Sequence, residues 1–216
     1  MTLLCLMPLF LAEALHTALS RLHLSPDAAI LIVIGLFVGS LINIPVRRIE
    51  RQIQMPMAVP DVFGLGWIFP RWQRVTTETV IAVNVGGCLI PAGLVAWEVL
   101  QMARASEQVL GTTLAIVAIN VLICHRAAVP VSGVGIMMPG FVSPLVALGL
   151  TWFLLPSDSL WRAPVAFVAG VCGPLIGADL LNLRRISTLS TGMLSIGGAG
   201  TFDGIVLSGL LAAFFA

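Results

Sequence analysis

The chain has 216 residues, of which 58% are hydrophobic and only 10% charged, and its mean hydropathy is +1.05. Soluble domains carry roughly 25% charged residues, so the composition excludes a soluble globular domain and indicates an integral membrane protein. All eleven basic residues are arginines, the net charge is +1, and no basic tract is present that would engage nucleic acid.

A helix needs about 20 apolar residues to cross ~30 Å of hydrocarbon. Seven stretches approach that length: 2–19, 28–46, 79–100, 109–124, 134–155, 163–183 and 192–216. The first contains "TLLCLMPLFLAEA", whose Ala12-Glu13-Ala14 has the small-x-small form of a cleavage site. No basic residue precedes it, so it is expected to remain as an uncleaved first span. Glu13 and His16 share one helix face there, too few ligands for a metal, and "HTALSRLHL" makes a short amphipathic exit. The loop 47–78, "RRIERQIQMPMAVPDVFGLGWIFPRWQR" in its first part, mixes Phe63, Trp67, Phe69 and Trp72 with arginine and proline. Amphipathic aromatics of this kind belong at the headgroup level, so the loop is expected on the cytoplasmic membrane surface.

Glu78 and Glu98 bracket the third segment and read as helix-end residues facing water. Asn43, Asn84 and Asn120 lie in apolar stretches, which suits helix–helix hydrogen bonding or ion binding. Cys5, Cys88, Cys124 and Cys172 are too scattered for a disulfide framework or a zinc motif and read as small packing residues. The phrases "GSLINIP", "NVGGCLIP", "GVGIMMPG" and "CGPLIGAD" share glycine, proline or asparagine without aligning as a repeat.

Arginine placement sets the topology. With the N-terminus in the cytoplasm, Arg47, Arg48, Arg51, Arg71, Arg74, Arg126, Arg184 and Arg185 fall inside, and Arg21, Arg104 and Arg162 outside. That distribution obeys the positive-inside rule. The expected fold is therefore an all-α polytopic bundle of about seven spans, N-in and C-out, with segments interrupted by glycine and proline. It forms one integral membrane domain over 1–216 in the cell's inner membrane.

Ionisable residues inside apolar spans are the informative ones in such a chain. Asp179, in "GPLIGADLLNLRR", precedes the arginine pair 184–185 by one to two helical turns. Asp203, in "SIGGAGTFDGIVLSG", begins the last segment from the same side. Two carboxylates at similar depth on adjacent segments would share a proton and titrate as a pair. One could then activate water while the other protonates a carbonyl oxygen. Gly177, Gly198, Gly200 and Gly204 would let a substrate backbone approach, and Asn84 is a further candidate for substrate binding. The alternatives left open are Asp179 pairing with Arg184 or Arg185 while Asp203 caps a helix, and cation or proton coupling at the same aspartates.

Together "GSLINIP", "AVNVGGCLIP", "PVSGVGIMMPG", "LIGADLLNL" and "SIGGAGTFDGIVLSG" resemble the signature blocks of a prokaryotic polytopic membrane family catalogued as a domain of unknown function, of the sixteen-fourteen type. The resemblance covers nearly the whole chain and implies that the blocks belong to one compact domain. The layout of the last two blocks also resembles the presenilin-like GxGD intramembrane aspartyl proteases. Asp179 matches their first aspartate, Gly198-Ala199-Gly200 the Gly-x-Gly, and Asp203 the second aspartate. Thr201 and Phe202 intervene before Asp203, and the tyrosine of that pattern is absent. The resemblance implies an intramembrane di-aspartyl hydrolase that cuts a transmembrane peptide near the cytoplasmic side without a cofactor. An ion- or proton-coupled transporter and a non-catalytic assembly protein are the alternatives.

Overall fold

A computed structural model of the chain describes residues 13–56, 72–131, 135–186, 192–198 and 204–216. Helix α1 occupies 13–20 and α2 runs Pro26–Ser40, opened by Ser25, whose hydroxyl accepts from the Ala28 N–H, and by Pro26 in the first turn. The helix stops short of the predicted 28–46 because Pro45 lies just beyond it. The residue before a proline favours extended backbone, and the chain enters strand β1, Asn43–Pro56.

β1 pairs antiparallel with β2, Trp72–Asn84, from Asn43↔Asn84 to Pro56↔Trp72, with the register shifted by one residue between Pro45 and Arg47. The all-α expectation is corrected here. The flanks of the supposed loop 47–78 are strands, and the first residues of the supposed span 79–100 finish β2. The cause is legible in "VTTETVIAV", which is dense in β-branched residues that suit a pleated strand. Residues 57–71, with Phe63, Trp67, Phe69 and Arg71, lie outside the described residues. Glu78 accordingly sits mid-strand, where it pairs with Arg48 at 3.5 Å on the ribbon's exposed surface. At about 3.3 Å per residue the ribbon is roughly 45 Å long.

β2 runs straight into a π-helical turn, π1 (Val85–Leu89), and then α3, Ile90–Ala105. α4 follows at Glu107–Ala127, matching the fourth segment. A short hairpin, β3 (Val129–Val131) with β4 (Gly135–Met137), takes up the start of the predicted 134–155 segment and leaves α5 as Val142–Leu154. α6, Arg162–Cys172, continues without a break into a second π-helical stretch, π2 (Gly173–Asp179), a 3₁₀ turn at Leu180–Asn182 and α7, Leu183–Ile186. β5, Met193–Ile196, adds parallel to β2, and α8 closes the chain at Gly204–Phe215. The described part of 192–216 is thus a strand and a short helix.

Among the described residues three helical stretches are long and apolar enough to cross a membrane: Val85–Ala105, Glu107–Ala127 and Arg162–Asn182. The third is the central one, 78% buried over its most apolar window, against 22% for the second. Its Val165, Phe167 and Val171 pack with Ile116, Met102, Ile205 and Leu210 in the main core. Large apolar side chains such as Phe153 and Leu160, 86% and 85% exposed, face outward. An apolar exterior on this scale belongs in lipid, and the molecule is a membrane protein. A smaller cluster of Ile81, Cys88 and Ile196, flanked by Ile49 and Leu175, joins the ribbon's base to the helices.

Candidate functional site

The site grows from the way α6 gives way to π2. Pro174 has no N–H to offer the Gly170 carbonyl one turn back. The hydroxyls of Ser143 and Ser208 donate to that oxygen instead, at 3.0 and 2.7 Å. The Asn120 amide donates to the neighbouring Ala169 carbonyl at 2.8 Å and to Ser143 Oγ at 3.0 Å. A side chain at Gly173 would run into Asn120 and Ser143. Glycine and proline at 173–174 therefore thread a buried polar junction that ties α4, α5 and α8 to the central helix.

One turn on, the buried Asn182 amide donates to the Gly177 and Ala178 carbonyls at 3.1 and 2.9 Å and lies 3.2 Å from His125 Nδ1. Buried backbone oxygens of an irregular helix need partners of this kind. Gly177 is seated against the α4 backbone: an added Cβ would strike the Val121 carbonyl and Cys124. The whole arrangement fixes the end of π2, where Asp179 stands half-buried.

Asp179 lines a cleft of about 280 Å³ together with Pro174, Ala178, Met138, Gly204 and Ile205. Gly204 is the first residue of α8 and follows Asp203 directly in sequence. Asp203 and Gly200 lie outside the described residues, as does Cys5. The N-terminal end of a helix carries roughly half a positive charge, and α8 begins at the wall of this cleft. The other predicted site residues are placed as follows. Gly198 ends the turn after β5 at φ +83, a left-handed conformation that suits glycine. Its neighbour Gly197, also at φ +83, lies against Cys88. Asn84 is buried at the β2–π1 junction, where Oδ1 accepts from the Gly87 N–H at 2.7 Å and Nδ2 donates to the Ser40 carbonyl at 2.7 Å. Asn84 thus holds the sheet–helix junction and Gly177 packs against α4, whereas Asp179 and Gly204 line the cleft.

One ionised-type residue differs from expectation. Glu98 does not face water; it is 0% exposed. Its carboxylate accepts the backbone N–H of His23 and meets His23 Nδ1, each at 2.9 Å. The indole N–H of Trp97 donates to the His23 carbonyl, and the His23 ring lies 4.4 Å from that of Trp161. Placing the end of the third segment at residue 100 hid this pair. α3 continues through Gln101–Ala105, a run of good helix formers, so Glu98 lies two turns inside. Cys88, Cys124 and Cys172 are buried, in keeping with packing roles. Among the described residues no group of three His, Cys, Asp or Glu side chains is placed to hold a metal ion.

A family model described as a protein of unknown function, DUF1614, matches residues 37–215. No curated protein and no solved structure matches the chain. The match spans β1 through α8, including Asp179, Asp203 and every wall of the cleft, and the chain belongs to the DUF1614 family.

Proposed function

We propose that the protein is an intramembrane di-aspartyl hydrolase that cleaves a peptide bond in a transmembrane substrate. The observation that carries this reading is that Asp179 and Gly204, the residue next to Asp203, line one cleft. In the proposed reaction one carboxylate takes a proton from water as its oxygen bonds to the scissile carbonyl carbon. The other carboxyl protonates the carbonyl oxygen. Collapse of the tetrahedral adduct breaks the C–N bond, and the amine leaves with a proton from the dyad. Irregular backbone at membrane depth is tolerated where it is buried or lines a cavity, and π2 and the segment before α5 meet that condition at the cleft. The transport alternative draws less support, because the Asn84 and Asn120 amides are engaged by the protein's own groups.

The proposed arrangement is multi-pass in the inner membrane, with seven crossings by α1 to α6 and α8, N-in and C-out. It sets the ribbon, the β3–β4 hairpin, α7 and β5 at the cytoplasmic end, with the cleft beside them. The partners are the bilayer and a transmembrane peptide. Purified protein in proteoliposomes should cleave transmembrane peptides, and Asp179→Asn and Asp203→Asn should each lower the rate by roughly 10³-fold or more, the scale of losing an essential acid–base group. Undiminished cleavage by both variants would remove the dyad.

A further inference from the structure

The cleft beside Asp179 has a chemical character of its own. Pockets that enclose a whole small-molecule ligand run from about 300 to 1,000 Å³. This one, at about 280 Å³, lies at the lower edge of that range, which is room for one or two side chains of a polymer. Away from Asp179 the side chains that line it are apolar: Ile136 and Met137 from β4, Met138 just after it, and Ile205 and Pro174 at the base; Asp179 and exposed backbone make much of the remaining surface polar. Ile205 is 2% exposed, a closed floor, while Met137 is 53% exposed at the rim. Methionine is unbranched and polarizable and moulds itself to differing apolar shapes. A charged side chain set among these apolar side chains would lose its water.

Two glycines, Gly140 and Gly204, stand at the cleft, and a Cβ built on either meets nothing within 4 Å. Neither has a positive φ. A side chain added at either position would project into open space at the cleft. What the absent side chains leave is an open mouth.

We propose that this cleft is the side-chain subsite of the substrate peptide, accepting one large apolar residue such as Leu, Met or Phe beside the scissile bond, with Gly140 setting the size limit. The substrate class rests on the di-aspartyl reading; the subsite itself rests on the cleft's walls and mouth.

The test uses the full-length protein and synthetic transmembrane peptides in which each position is varied in turn through Ala, Leu, Phe and Asp. Products are located by mass spectrometry. Wild type should require a large apolar residue at one fixed position relative to the cut and reject Asp there. Gly140→Leu should lower kcat/KM for the Leu peptide by roughly 10–200-fold, the scale of a misfitted methylene or methyl group, and leave the Ala peptide the better substrate. Met138→Ala, which widens the cleft, should shift preference the opposite way. Gly111→Leu, on α4 with no neighbour within 4 Å of its Cβ, controls for an added leucine elsewhere. Cleavage with an unchanged profile in Gly140→Leu and Met138→Ala would overturn the subsite and leave the hydrolase standing.

A second readout needs no turnover. A peptide carrying diazirine-leucine is irradiated with Asp179→Asn protein and the cross-links are mapped. Links to Met137, Met138 or Ile205 that vanish in Gly140→Leu support the subsite even where wild type cleaves nothing, an outcome that would sink the hydrolase reading alone. Links confined to other residues would overturn the subsite.

Discussion

Glu98 is withdrawn from solvent completely, yet it meets two nitrogens of a single residue, His23. Removing it takes the acceptor from the part-buried His23 backbone N–H, at a cost of roughly 0.5–1.5 kcal/mol for a typical hydrogen bond. Glu98→Ala should therefore lower thermal stability in detergent by that amount or more, since a cavity adds to it. Glu98→Gln keeps an acceptor oxygen and should cost about half as much. Equal melting temperatures for Glu98→Ala and wild type would show that the pair contributes nothing. The Gly170 carbonyl offers a second case. Ser143→Ala or Ser208→Ala alone leaves it one hydroxyl donor, at a cost of about 0.6–1 kcal/mol for a hydrogen bond between helices in a membrane. The double variant removes both, and Pro174 offers no N–H to make up the loss. Its destabilisation should exceed the sum of the singles when the three are compared by thermal unfolding.

At the scale of elements, the sequence showed where the helices would be irregular but not where strands would replace them. "NVGGCLIP" and "CGPLIGAD" share glycine and proline, and each contains a π-helical stretch. Glycine lowers the cost of leaving α geometry and proline removes a ladder bond. The strands were obscured by a competing signal: "TVIAVN" reads as the start of an apolar span by length, though its β-branched density suits a strand. Asp179 was legible because an acidic residue stands out in an apolar run. The serines around Gly170 were not, because a hydroxyl among apolar residues gives no sign of which carbonyl it will meet. Gly177 allows the contact between π2 and α4 to be tested. Gly177→Ala pushes a methyl group into the Val121 carbonyl and Cys124, and overpacking of this kind costs about 1–3 kcal/mol. Gly111→Ala meets nothing and gains helix propensity, worth up to about 1 kcal/mol. The two alanines should move the unfolding temperature in opposite directions, and a shared sign would contradict the packing assigned to Gly177.

For the whole molecule the decisive quantities are helix length and arginine placement. α2, α5 and α8 have 15, 13 and 12 residues, which at 1.5 Å per residue give roughly 22, 20 and 18 Å. Each falls short of ~30 Å of hydrocarbon, so each proposed crossing is completed by non-helical backbone or by local thinning of the bilayer. Gly140 precedes α5 by two residues, and Gly204 begins α8. Both line the cleft, so the shortfall of these two helices falls at one place beside Asp179. In the proposed orientation that place opens toward the cytoplasm, on the side that carries eight of the eleven arginines. The orientation is open to direct measurement in a background with the four native cysteines replaced by alanine. Gln52, on the exposed part of β1, and Asp158, in the α5–α6 turn, are both exposed positions. With the outer membrane permeabilised and the inner membrane intact, a membrane-impermeant maleimide should label Asp158→Cys, and should reach Gln52→Cys only after the inner membrane is broken. The reverse pattern would turn the molecule over, set the cleft toward the outside and make the transmembrane peptide reach it from the opposite face. Labelling of both positions in intact spheroplasts would break the seven-crossing count itself, because an even number of crossings between β1 and the α5–α6 turn would return the chain to the same side.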